Sequence, residues 1–101
     1  PKDFFRAKEW ENAGTRLTKP AYGCVVTFTR DGGGHVGFVV GKTKKGMLKV
    51  LGGNQSNAVT IQDFDPKRVT SYRWISSDSV PHEHRYDLPV LAAGRISTNE
   101  A

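Results

Sequence analysis

Four features of the sequence have side chains able to do chemistry. His35 opens an apolar run directly after Gly32-Gly33-Gly34. Imidazole is the usual general base for a thiol or hydroxyl, because its reference pKa of about 6.5 lies near working pH. Asn54 and Gln55 follow Gly52-Gly53. A side-chain amide there is able to accept the imidazole N–H and hold the ring in a useful tautomer. Gly-Gly-Asn is also ordinary turn chemistry, since asparagine tolerates left-handed backbone. Asn54 is preferred over Gln55 for the orienting role. Cys24 is the one cysteine. Activated thiolates favour helix N-termini or electropositive clefts, whereas Cys24 sits in an apolar strand-forming run and is expected to act as a small buried hydrophobe. His82 and His84 flank Glu83; in a polar, proline-bounded stretch without an evident third ligand they are expected in solvent rather than on a metal. No cofactor and no metal are implied.

These groups need elements to hold them. Asp3 fits a helix N-cap, and Phe4, Ala7 and Trp10 recur at helical spacing up to Gly14, so a short helix is expected over Phe4 to Ala13. Thr15 to Tyr22 reads as a connector. Period-two, β-branched runs then predict strands at Cys24–Thr29, His35–Val40, Met47–Leu51, around Val59–Ile61 and at Val69–Ile75. In the last of these Tyr72 and Trp74 share a face. Gly32-Gly33-Gly34-His35-Val36-Gly37 also satisfies a G-x-G-x-x-G pattern, but a dinucleotide site needs a helix to start there, and the residues that follow continue as strand. The pattern is expected to be a hairpin.

The fold expectation is α+β: a short N-terminal helix, then a curved antiparallel sheet of about five strands, then an extended C-terminal tail that wraps or frays. The division falls at residues 1–75 and 76–101. At 101 residues the chain suffices for one core. Fifteen Lys and Arg face ten Asp and Glu, for a net charge of +5. Residues 1–74 hold thirteen basic and six acidic side chains (+7), and residues 75–101 two and four (−2). Such a basic part suits a polyanion, either nucleic acid or an acidic cell wall. Lys42, Lys44 and Lys45 are expected at a solvated hairpin tip, and the absence of an aromatic RNA-reading pattern weakens a nucleic-acid role. No apolar run approaches the roughly 20 residues of a membrane helix, and no signal peptide is visible.

Three runs taken together resemble a known family: Pro20-Ala21-Tyr22-Gly23-Cys24-Val25-Val26-Thr27-Phe28, Gly34-His35-Val36-Gly37-Phe38-Val39-Val40-Gly41, and Leu51-Gly52-Gly53-Asn54-Gln55. They look like the CHAP and NlpC/P60 branch of papain-like cysteine peptidases, in a subgroup found in phage lysins and secreted antibacterial effectors. The resemblance covers roughly residues 4–74 and implies the β-barrel half of a papain-like domain. It implies an amidase or endopeptidase that cuts the peptide stems of peptidoglycan, with His35 as base and Asn54 as orienting group. The family's nucleophile lies on an earlier helix in a Trp-Cys setting that this sequence lacks. The alternatives are a C-terminal piece whose upstream segment or partner chain carries the thiol, and an inactive derivative of the family; the first is preferred because the chain begins at Pro1, and it implies that the chain is inactive alone. Delivery to the bacterial periplasm or cell wall, and an immunity protein as a partner, belong to the same implication. The competing expectation is a non-catalytic SH3-like module that binds cell wall or another polyanion.

Overall fold

The run Val25–Arg30 (β2) alternates apolar and hydroxyl side chains and pairs with Gly33–Lys42 (β3) as an antiparallel hairpin, Val25 opposite Phe38 and Phe28 opposite His35. A computed structural model describes residues 13–30, 33–53, 58–93 and 96–97. Its further strands are Thr15–Leu17 (β1), Leu48–Gly53 (β4), Val59–Phe64 (β5), Val69–Trp74 (β6) and the two-residue Ile96–Ser97 (β7). They form one antiparallel sheet in the order β1-β6-β2-β3-β4-β5-β7.

This architecture corrects the α+β expectation. Among the described residues there is no α-helix, only two 3-10 turns, Pro66–Arg68 and Glu83–Tyr86. The helix expected over Phe4 to Ala13 lies, apart from Ala13, outside the described residues, and Ala13 sits in a bend leading to β1. The stretch expected as a connector contains β1, which forms because Thr15, Arg16 and Leu17 find Trp74, Arg73 and Tyr72 across an open edge. The sheet also has more than the five strands expected.

One face of the sheet makes the core. Leu17, Cys24, Val26, Phe28, Val39, Leu48, Val50 and Trp74 are buried together, with Phe64, Val69, Tyr72 and Tyr86 packed against them. Phe28 and Phe64 stack at 4.5 Å, although β3 and β4 separate their strands in the sheet. The sheet must therefore curl until its inner face meets itself, and register shifts at Thr27/Phe28 and Val39/Gly41 supply local bending. Gly37 permits the close approach of β4: a Cβ there would lie 2.5 Å from Val50 Cγ1 and 2.8 Å from the Leu51 carbonyl. Asp65 caps the 3-10 turn joining β5 to β6, its carboxylate accepting from the Lys67 amide at 2.9 Å.

On the outer face Lys49 is fully buried and pairs with Asp63 at 2.6 Å, directly across the β4–β5 register. Thr27 Oγ1 lies within hydrogen-bond distance of Thr70 Oγ1 (2.6 Å) and Ser71 Oγ (2.8 Å), so the hydroxyls buried at the β2–β6 bulge satisfy one another.

The segment after Ile75 is held to the sheet. Leu88 joins the core, and the Tyr22 amide donates to the Arg85 carbonyl at 2.8 Å while Arg85 Nη1 donates to the Tyr22 carbonyl at 3.1 Å. Val90 forms a parallel bridge with Lys42, through Lys42 N to Pro89 O (2.9 Å) and Leu91 N to Lys42 O (2.8 Å).

Candidate catalytic site

His35 stands near the start of β3 on the inner face, cross-strand from Phe28. Its ring stacks on Phe64, centroids 5.2 Å apart and planes 26° apart, and lies 6.0 Å from the Phe28 ring. Three strands therefore meet at this imidazole: β3 carries it, β2 and β5 supply its aromatic walls. The residue is half-buried, so it is held by packing without being sealed in the core. An imidazole packed in that way has restricted rotation.

On the β4 side the neighbour is Gly52. A Cβ added there would lie 3.7 Å from His35 Nε2 and 3.8 Å from Cε1, ordinary contact distances, so Gly52 borders that side of the ring. β4 runs antiparallel to β3 in the register Phe38↔Leu51, toward the His35 end, and Gly53 is its last residue. Asn54 and Gln55 lie outside the described residues.

Cys24 is wholly buried. Burial pushes its thiol up from 9.0 to about 11, against the smaller opposing effect of backbone hydrogen bonds from Ala21 and from its own amide. A thiol that remains protonated at neutral pH is a poor nucleophile. Cys24 also sits four residues from Phe28 along an extended chain, roughly 13 Å from the level of His35. Burial of Tyr72 itself first, and its proximity to Cys24 second, push the Tyr72 phenol up.

His82 and His84 are exposed and stack on each other at 5.8 Å. Among the described residues no group of three or more His, Cys, Asp or Glu side chains gathers as metal ligands would. Lys44 and Lys45 lie exposed in the β3–β4 turn, where Gly46 takes φ 90° and Thr43 Oγ1 accepts from the Met47 amide. Gly33 to Gly37 run in strand, with no helix following them.

Phe28 is buried in the core, whereas Phe38 is 50% exposed on the outer face. Sequence reasoning missed Phe64 as the principal wall of the His35 site. Its signal was faint: Phe64 shares the inner-face parity of Gln62 and Thr60 along a strand interrupted by Asp63. Family models, curated proteins and solved structures were all compared with this chain, and none matches it.

Proposed function

We propose that this chain supplies the base and the orienting amide of a Cys-His-Asn hydrolase that cuts the peptide stems of peptidoglycan. The observation that carries the proposal is the seating of His35: half-buried, stacked on Phe64, and bordered on its β4 side by a glycine. Asn54 is the orienting residue and Gln55 the alternative. Because Cys24 is sealed and protonated, the nucleophile comes from another segment or chain, as the resemblance to papain-like peptidases implies.

In that reading the foreign thiolate attacks the stem amide carbonyl and a C–S bond forms. His35, as imidazolium, gives its proton to the departing amine nitrogen as the C–N bond breaks. Water, deprotonated by the same imidazole, then attacks the thioester; the C–S bond breaks, releasing a carboxylate and restoring the thiolate. Asn54 fixes the ring's tautomer throughout.

The test is degradation of purified cell walls by the full product of the gene. His35→Ala is expected to reduce cleavage by roughly 10²- to 10⁴-fold, the usual range for a lost general acid–base, with the circular dichroism spectrum unchanged. Full cleavage by a folded His35→Ala protein refutes the assignment.

A second reading is favoured by a different observation. The curled sheet closed by Phe28 on Phe64, with a 3-10 turn between its last long strands and a charge of +5, also suits a small barrel that only binds cell wall. It predicts co-sedimentation with walls that survives His35→Ala and weakens with salt.

A further inference from the structure

β1 covers only part of the outer edge of β6. Its three residues pair with Tyr72, Arg73 and Trp74 and end at Leu17, which among the described residues leaves the edge from Val69 to Ser71 without a strand on that side. A cleft of about 420 Å³ lies along this gap, lined by Arg16, Leu17, Thr18, Val69, Ser71 and Tyr72 among others. Arg16 and Ser71 come from the outer face of the sheet, and Leu17, Val69 and Tyr72 from the inner face. That mixture is what a sheet edge presents to an extended chain: backbone donors and acceptors in the middle, side chains of both faces on either wall.

The charge at the cleft points to its occupant. Arg16 stands directly opposite Arg73, and like charges in that position cost stability unless something between them compensates. Arg73 Nε is buried without a hydrogen-bond partner. The cleft also lies close to the proposed catalytic base. Val69 is cross-strand from Phe28, and Phe28 from His35, so β6 and β3 are two strand spacings apart, roughly 10 Å. An extended peptide needs at least about three residues to span that separation, and more to pass around the buried Phe28 between the two.

We infer that this cleft is a subsite for a short extended peptide carrying a free carboxylate, with Arg16 holding the carboxylate and Leu17, Val69 and Tyr72 receiving small apolar side chains. It deepens the hydrolase reading, and rests on it only for the identity of the peptide: the uncut, carboxylate-bearing part of the stem lies here while the amide to be cut lies at His35. Peptide binding at β6 needs neither the thiol nor His35, so it stands or falls separately from cleavage.

The test titrates the 101-residue chain with a soluble alanine- and glutamate-containing stem-type peptide bearing a free C-terminal carboxylate, followed by amide chemical shifts. Shifts concentrated at residues 69–72 and 16–18 are expected. Arg16→Gln should weaken binding about tenfold, the scale of one lost charge-assisted hydrogen bond, and the C-terminally amidated peptide should bind as weakly to the unaltered chain. Thr18→Trp, at an exposed rim position, should block the cleft. Equal binding of free-acid and amidated peptides, shifts elsewhere on the surface, or no binding at all would overturn the inference. Those results would leave the role of His35 to the cell-wall assay.

Discussion

The imidazole of His35 and the ring of Phe64 lie face to face at 5.2 Å, though their strands are separated in the sheet by β4. Phe64 is thus both a core residue and the surface against which the proposed base is set. Phe64→Ala should cost about 2 kcal/mol, less than a fully buried phenylalanine because the side chain is only half-buried. Phe64→Leu should retain most of that stability. In the full gene product, Phe64→Leu is expected to lower wall cleavage more than its melting temperature explains. Cleavage that tracks stability alone would reduce Phe64 to packing.

Two glycines on adjacent strands should respond oppositely to alanine. At Gly37 the new methyl meets Val50 Cγ1 and the Leu51 carbonyl inside the core, so Gly37→Ala is expected to destabilise by about 1–3 kcal/mol. At Gly53 nothing among the described residues lies within 4 Å, and alanine should be neutral or gain up to about 1 kcal/mol by restricting the unfolded chain. Urea melts of both variants check this.

The Lys49–Asp63 pair places a fully buried ammonium against a partly buried carboxylate. Removing the carboxylate alone leaves Lys49 charged and enclosed, so Asp63→Leu should cost about 3 kcal/mol. The double variant Lys49→Met/Asp63→Leu should recover most of the loss. A double variant no better than the single one would mean that the pair contributes through its shape rather than its charge.

For Cys24 the folded-state pKa is raised, from 9.0 to about 11. Its contribution to stability is therefore complete below about pH 9 and lost as pH rises toward 11. The shift corresponds to a fall on the order of 2 kcal/mol across that window. Cys24→Ala should flatten this part of the stability profile. The native thiol should resist alkylation at pH 8 and react once the chain is unfolded.

Leu88 lies in the core although it belongs to the segment beyond residue 75. Leu88→Ala should cost about 2–3 kcal/mol, and a chain ended at residue 75 should melt well below the intact one. A truncated chain of undiminished stability would show that Leu88, Tyr86 and the Val90 bridge add nothing to the sheet.

The strands that carry the site were legible where side chains alternate cleanly: β2 and β3 lie within a few residues of their expected limits. β5 was expected only around Val59–Ile61. It continues to Phe64 because Lys49 waits opposite Asp63. β1 was read as a connector, since three residues have no period of their own and owe their form to Trp74, Arg73 and Tyr72. The nearness of the Gly52 strand to His35 followed from a simple meander, and the structure has it. Phe64 at the imidazole did not follow, because that contact exists only once the sheet has curled.

Since the two aromatic walls of His35 arrive from strands that are not neighbours, the histidine has no fixed address when the β2–β3 hairpin first forms. Its seat is completed only when the chain up to residue 64 has come round to meet Phe28. Non-local closure of this kind is slow relative to hairpin formation. Heat or denaturant should accordingly unseat the imidazole in one cooperative event with the whole barrel, and a partly folded chain would carry the residue without its setting.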